Sequence, residues 1–541
     1  RKLLNVVEEM AIASGTPAPP VYLLVGEPGI NAFAAGFSPR DAVIGVTQGT
    51  IDHLSRDQLQ GVIAHEFSHI FNGDMRLNIR LMGILNGILI IGIIGYYLLY
   101  SASFSRRGRS SGKNAGGILA LAIGLMVIGF AGTFFGGLIK AAVSRQREYL
   151  ADASAVQFTR NPDGIAGALK RIGGLESGSK VENPGAPEVS HAFFAQGVSG
   201  FMQSLAATHP PLAKRILRID PQWDGKFDSA DKTDSPKGEE ERVKKETMTR
   251  EELAEKVATV ITGAAMADVA HAIDQIGNPK AETINHARAL IEELSATIKE
   301  AAREPYGARA VIYSLVLDPG QEVRGRQLAH LREHADPDVF VLTHKLLPEM
   351  DGLDIKYRLP IINISIPALK QLSLGQYQAF RDNLVALIEM DSRVDLLEWS
   401  LQKILFSHLD GQFFKLTRTK TRYSDAGQLK KEIGLILSVM AHAGQQDQNI
   451  IEEAFSAAAN GAAAKTLKIS GLQLVAKNKI SLADLDRSLK KLQKLKPLAK
   501  PQLLKACATS IVHDQIISPV EIELLRAFSA VLDCPMPLIV S

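Results

Sequence analysis

His65 and His69 stand four residues apart, with Glu66 beside the first, in the stretch GVIAHEFSHIFNGD at 61–74. On a helix, residues i and i+4 share a face one turn apart, so two imidazoles can meet one metal ion. Glu66 can then reach a water bound to that ion and take its proton as the water attacks a carbonyl carbon. A catalytic zinc wants three protein ligands and one open position. The five-residue pattern alone is only moderately specific, since two histidines and a glutamate also meet on ordinary amphipathic helices. Its surroundings favour the metal. Val62, Ile63, Phe67 and Ile70 bury the rest of the helix. A buried Glu66 is costly unless a metal–water site gives it a partner.

The third ligand must come from a second packed element. REYLADA at 147–153 offers Glu148 and, four residues on, Asp152. Glu148 can ligate while Asp152, one turn along the same face, hydrogen-bonds the far ring nitrogen of a ligand histidine. That bond fixes the imidazole tautomer and raises its basicity. The plainer alternative is an exposed acidic face paired with Arg145 and Arg147. The small apolar neighbours Ala151, Ala153 and Ala155 argue against it.

The elements that must position these groups are readable in the pattern. Residues 3–13 have helical periodicity and end at Gly15. VYLLV (21–25), NAFAAGF (31–37) and AVIGVT (42–47) read as short strands, the last two separated by a Ser-Pro-Arg-Asp turn. Residues 55–73 read as a helix that Ser55 caps, Gln58 supports through a capping box and Gly73 ends. Between the two halves of the constellation the composition changes. LMGILNGILIIGIIGYYLLY (81–100) and AGGILALAIGLMVIGFAGTFFGGLI (115–139) carry no charge, and each matches the ~20 residues that a bilayer span needs. Their glycines suit close helix packing in lipid, and Tyr96, Tyr97 and Tyr100 suit an interfacial belt. The pattern predicts a transmembrane hairpin at about 77–100 and 115–140. VSRQREYLADASAVQ (143–157) reads as an amphipathic helix after it, and 176–200 as a Gly-, Ser- and Pro-rich loop.

With 541 residues the chain has room for two or three domains. Its net charge of +3 is too small to argue for a nucleic-acid partner. Cys507 and Cys534 form neither a metal-ligand spacing nor a disulfide framework, which suits a reducing compartment. A mixed-charge run marks a linker at 226–250, and 251–541 is helical in pattern nearly throughout. Asp391 with Glu398, and Asp514 with Glu521, repeat an acidic spacing that Asp447 begins without its Glu. Helix N-capping explains this spacing better than a divalent-cation site does.

Four blocks then carry a resemblance. GINAFAAG (29–36), HEFSHIFNGD (65–74), SRQREYLADASAVQFTRNP (144–162) and THPPLAKRI (208–216) stand in order over residues 1 to about 220, with the two apolar segments between the second and third. This arrangement resembles the M48 metallopeptidases of the HtpX-like membrane type, a gluzincin family. The resemblance implies one Zn2+ per chain held by His65, His69 and Glu148, with Glu66 as the base and Asp152 supporting the ligands. It implies that Asn31, Ala32, Phe33 and Ala34 form an edge strand pairing with the substrate backbone, and that His209 and Arg215 stabilise the oxyanion. It also implies a multi-pass protein of the inner membrane with its catalytic side in the cytoplasm, degrading misfolded or damaged membrane proteins. Charge does not decide the orientation: Arg106, Arg107, Arg109 and Lys113 at one end of the hairpin face Arg76, Arg80, Lys140, Arg145 and Arg147 at the other. Such proteins usually carry two spans ahead of the catalytic domain, whereas this chain opens at Arg1 in what reads as mid-helix: either those spans lie outside this sequence or this member lacks them. The extension faintly resembles TerB-like helical domains.

The expected fold is mainly α. It combines an α+β catalytic domain (1–225) with a small edge sheet, an inserted transmembrane hairpin, a linker (226–250) and an all-helical C-terminal region (251–541). The expected function is a zinc endopeptidase with polypeptide substrates, a lipid bilayer around it and a protein partner for its helical region. Two other readings differ in class. One is a membrane scaffold with a non-proteolytic metal site, against which Glu66 speaks, because a structural site needs no base. The other is a metal-sensing regulator built on Asp391, Glu398, Asp514 and Glu521.

Overall fold

The computed structural model describes residues 1–105, 115–182, 193–195, 209–228, 280–390, 395–415, 421–513 and 517–534. In chain order the first part contributes α1 (Lys2–Ser14), β1 (Val21–Leu24), β2 (Ala32–Ala35), β3 (Val43–Thr47), α2 (Gln48–His53), α3 (Arg56–Asn72), α4 (Asp74–Ser105), α5 (Ala115–Thr159), α6 (Pro162–Gly174) and α7 (Leu212–Ile219). The architecture is mainly α, with one three-stranded sheet among the described residues. Two compact units emerge: Val21–Thr233, and Leu3–Pro20 together with Asp234–Ser541.

In the first unit the sheet order is β1-β3-β2, with β1 parallel and β2 antiparallel to the central strand. This order leaves β2 on an edge. Helix α3 starts where the sequence predicts, with Ser55 and Gln58 forming a reciprocal capping box, and stops at Gly73 in the left-handed conformation (φ 69°). Leu59, Val62, Ile63, Phe67 and Ile70 are buried along it. Helix α6 crosses α3 at Gly61, where a side chain would bring Cβ to 2.6 Å from the Ile165 nitrogen. That close approach needs a glycine and fixes the metal-motif helix against the core.

Helices α4 and α5 form a hairpin, and both are long and apolar enough to cross a membrane. They meet at Gly92 and Gly129, where a Cβ on Gly129 would lie 2.1 Å from the Gly92 nitrogen. Ile90, Val127 and Phe134 stay exposed on the outer faces. The expected second span and the expected amphipathic helix after it are one uninterrupted helix of 45 residues. The reason lies in the join: residues 138–157 hold neither glycine nor proline, so nothing breaks the backbone ladder where apolar composition gives way to polar composition.

In the second unit α1 packs with the helical region. Glu8, nearly buried, accepts Nε and Nη2 of Arg303 at 2.8 and 2.6 Å, and Asn5 accepts Nη2 at 2.7 Å. Arg288 Nε reaches Glu9 at 3.4 Å. Arg526 Nη1 donates to the Gly15 carbonyl at the end of α1. Farther on, Asp447 caps the helix Gln448–Asn460, while Glu398 and Glu521 complete capping boxes with Asp395 and Ser518. These three carboxylates therefore sit at helix starts for hydrogen-bonding reasons. Asp391, Asp514 and residues 229–250 of the linker lie outside the described residues.

Leaving a buried charge without its partner costs about 3–5 kcal/mol. Arg303→Ala should therefore raise amide hydrogen exchange across residues 2–14 by about two to four orders of magnitude, read by mass spectrometry. Unchanged protection would mean that apolar contacts alone hold α1.

Candidate metal centre

Helix α3 buries His65 and Glu66 completely and leaves His69 partly covered. The His65 and His69 Nε2 atoms approach to 3.1 Å. Glu148, from α5, sets its Oε2 3.6 Å from His65 Nε2 and its Oε1 3.6 Å from His69 Nε2. Tetrahedral zinc with bonds of about 2.0–2.1 Å spaces its ligand atoms about 3.3 Å apart, and the three separations bracket that value. Two imidazoles and a carboxylate are also the donor set that zinc prefers. Among the described residues these three form a group able to hold a metal ion, and they fit zinc.

The far ring nitrogens are both held by carboxylates. His65 Nδ1 lies 3.0 Å from Asp152 Oδ1, and His69 Nδ1 lies 2.9 Å from Asp74 Oδ2. Asp152 stands where the i+4 spacing from Glu148 puts it. Asp74 is not among the site residues singled out from the sequence. The left-handed Gly73 reverses the chain after α3, so Asp74 comes back against His69, while Arg147 Nη1 holds its other oxygen at 3.2 Å. An acid directly after the glycine cap was the available signal.

Asp152 is shared. Arg215, from α7, donates Nε and Nη2 to its two oxygens at 2.8 and 2.6 Å, and donates Nη1 to the Phe194 carbonyl at 2.6 Å. The expectation that Arg215 is an oxyanion donor is corrected here. Its guanidinium is fully buried and matched as a fork by Asp152, so it positions the support of a ligand. His209 packs directly on the ligand carboxylate, Nδ1 to Glu148 Oε2 at 3.2 Å. Phe194 was missed altogether. Its ring stands edge-on to His65 (centroids 4.9 Å apart) and under Arg215 (4.7 Å), and its N–H donates to Ala32 O at 2.7 Å. It comes from a Gly-, Ser- and Pro-rich stretch with no periodicity to mark it.

The edge strand divides into two parts. Asn31 turns inward, its amide donating to the Ser179 and Ala195 carbonyls and its Oδ1 accepting from Ala32 N. Thr47 N donates to Asn31 O, so by strand alternation the main-chain groups of Ala32 and Ala34 face the free edge. Ala32 O already takes Phe194 N, and Phe33 bridges Phe193. Ala34 is the member whose N–H acts on Glu66. Of the four residues expected to meet substrate, Asn31 instead pins the loop and Ala34 lies at the chemistry. His53 is half-buried on α2, and His191 lies outside the described residues.

Among the electrostatically displaced groups of the site, two bear directly on proton and metal binding. Burial raises the Glu66 carboxyl above its ordinary value, against the lowering pull of His69, His65 and the Ala34 N–H. Among the described residues no side chain completes a hydrogen bond to either of its oxygens. Burial disfavours charge on His65, but the bonds to Asp152 and Glu148 outweigh it and lift the imidazole to about 9.

Comparison with known proteins agrees with this geometry. Residues 1–222 match peptidase family M48. A protease HtpX homolog of Dictyoglomus thermophilum is 40% identical over 218 residues, covering 40% of this chain and 68% of the relative. The homolog of Streptococcus uberis is 35% identical over 217 residues, with 40% and 71% covered, and that of Caldanaerobacter subterraneus is 39% identical over 219 residues, with 40% and 70% covered. No solved structure matches the chain.

Without metal, His65 holds a proton at neutral pH that zinc must displace. Zinc affinity should therefore rise by up to tenfold per pH unit between about 6.5 and 9. Calorimetry in two buffers of different ionisation enthalpy should show about one proton released near pH 7. A pH-independent affinity contradicts the assignment. Asp74→Ala should weaken zinc binding by about 10–100-fold while circular dichroism stays unchanged.

Proposed function

The chain belongs to peptidase family M48, and on that premise we propose that it is a membrane-bound, zinc-dependent endopeptidase that cuts misfolded or damaged membrane proteins. One observation carries the reading: His65, His69 and Glu148 converge at ligand spacing beside a fully buried Glu66 that no cationic side chain pairs among the described residues. A purely structural metal site has no need of that carboxylate.

Zinc held by His65, His69 and Glu148 would supply Lewis acidity toward water and a substrate carbonyl. The rest is the work of this chain's own groups. Asp152 and Asp74 hold the Nδ1 protons of the two histidines, which turns both Nε2 lone pairs to the common point. Glu66, with its proton affinity raised by burial, takes a proton from water at a carboxylate oxygen and returns it to the leaving amide nitrogen. Ala34 offers its main-chain carbonyl to an extended polypeptide, so the strand edge sets the line of the substrate. His209, seated on Glu148, is the donor we assign to charge on the substrate carbonyl oxygen.

Helices α4 and α5 are the proposed membrane spans, their exposed apolar faces meeting lipid. The proposed setting is the inner membrane with the site on the cytoplasmic side, supported by the family resemblance and by Cys507 and Cys534 both being free thiols. The C-terminal helices are the proposed docking region for a protein partner.

The test uses purified full-length protein in detergent with zinc and casein. Glu66→Gln should lower cleavage by about 10²–10⁴-fold while zinc content stays near that of the wild type. Equal cleavage by both removes Glu66 from the mechanism. Zinc bound by both with no cleavage by either favours the scaffold reading.

A further inference from the structure

We propose that the β2–β3 turn is a membrane-interface anchor that holds the end of the edge strand at the bilayer surface, so that the substrates of this site are polypeptide segments emerging from lipid. The inference rests on the reading of α4 and α5 as membrane spans.

Phe37 lies in this turn and is 51% exposed, although it is a large aromatic. Part of the backbone behind it is bonded from within. Phe37 N donates to Asp41 Oδ2 at 2.9 Å, the Ser38 hydroxyl donates to the same carboxylate, and Asp41 N donates to Ser38 O at 3.3 Å. Pro39 has no N–H to satisfy. Gly36 enters the turn at φ 148°, where a side chain would strike the backbone of Asp41 and Ala42. With the amides of Phe37 and Asp41 bonded inside the turn, moving it from bulk water into the interfacial layer costs less.

Its depth is set by α4. Arg76 Nε donates to the Phe37 carbonyl at 3.3 Å. Arg76 precedes Leu81, where the uncharged run begins, by five residues, or about 8 Å of helix. The interfacial layer outside the hydrocarbon is about 5–8 Å thick on each side. The turn is therefore tied to the span at headgroup level. Arg76 and Arg80 are exposed there, and Lys140 joins them from α5, a basic level that fits anionic headgroups. An aromatic ring with basic neighbours at this height fits the interface better than water. From Ala34, beside Glu66, to Phe37 is three residues, or about 10 Å of extended chain. The edge strand thus runs from the chemistry to the lipid boundary. Val25, 78% exposed, gives a control, because it follows β1 at the opposite end of the sheet.

The experiment places spin labels on Phe37→Cys, Val25→Cys, Ile90→Cys and Phe134→Cys of the full chain in phosphatidylethanolamine–phosphatidylglycerol vesicles. The native thiols are buried and label poorly. The readout is accessibility to oxygen against a water-soluble nickel chelate. Labels at 90 and 134 should read deep lipid, 37 interfacial and 25 aqueous. An aqueous reading at 37 with lipid readings at 90 and 134 overturns the anchor alone. Aqueous readings at 90 and 134 overturn the spans, and the anchor with them. For the substrate class, Phe37→Asp should slow cleavage of a reconstituted single-span test protein, cut in an unfolded segment beside its span, by about tenfold. Its casein cleavage should stay at the wild-type rate. Equal effects on both substrates overturn the substrate assignment.

Discussion

Asp152 carries a buried charge between His65 and Arg215, and the rest of the site is arranged around it. A carboxylate taken out of water is tolerable only when its oxygens are fully engaged. Here one oxygen bonds the imidazole and the guanidinium together, and the other takes Arg215 Nε. Arg215 passes the constraint on to the Phe194 carbonyl, and Phe194 N–H passes it to Ala32 on β2. A single run of polar contacts thus joins the metal-motif helix, the helix bearing the third ligand, α7 and the edge strand. Removing any member leaves a buried charge or an unpaired backbone group, so the geometry of the ligands is held by cost as much as by attraction.

That network needs close backbone approach, and the sequence supplies it at two glycines. Gly61 lets α6 lie against α3, and Gly129 lets the two apolar helices touch at Gly92. The first presses the motif helix into the core. The second keeps α5 in a fixed relation to α4, so that Glu148 reaches His65 and His69 from a helix that began far down the chain. Metal ligands on two elements this distant in sequence can be kept within a few ångströms only if the connection between them is stiff.

Much of this was legible because it obeys local periodicity. The i, i+4 rule put His65 with His69 and Glu148 with Asp152. Cap chemistry placed Ser55 and Gly73, and alternation with turn residues placed the three strands. What escaped reading obeys no local rule. Phe194 acts through its ring edge and its main chain, and neither leaves a mark on residue type. Asp74 is visible only once the left-handed turn at Gly73 is known to fold back. Arg215 looked like a donor to substrate because a lone arginine after His-Pro-Pro does not reveal which carboxylate it meets. The packing of α1 with residues 281–303 and Arg526 depends on contacts hundreds of residues apart, and periodicity carries no such information. The acidic spacing farther on was read as capping; Asp447 does cap its helix, and Glu398 and Glu521 stand in first turns whose cap residues are Asp395 and Ser518.

The absence of a break in α5 has a metrical consequence. A helix advances about 1.5 Å per residue, and nine residues separate Ile139, where the uncharged run ends, from Glu148. With α5 seated in the bilayer as proposed, the third ligand stands about 14 Å above the hydrocarbon, at a height written in residue count. No hinge can lengthen or shorten that distance. The helix therefore works as a gauge: a bond is cut only if its own chain carries it to that height. Inserting or deleting residues between 140 and 147 would both change the measure and rotate the ligand off its face by about 100° per residue, so neither can drift without the other.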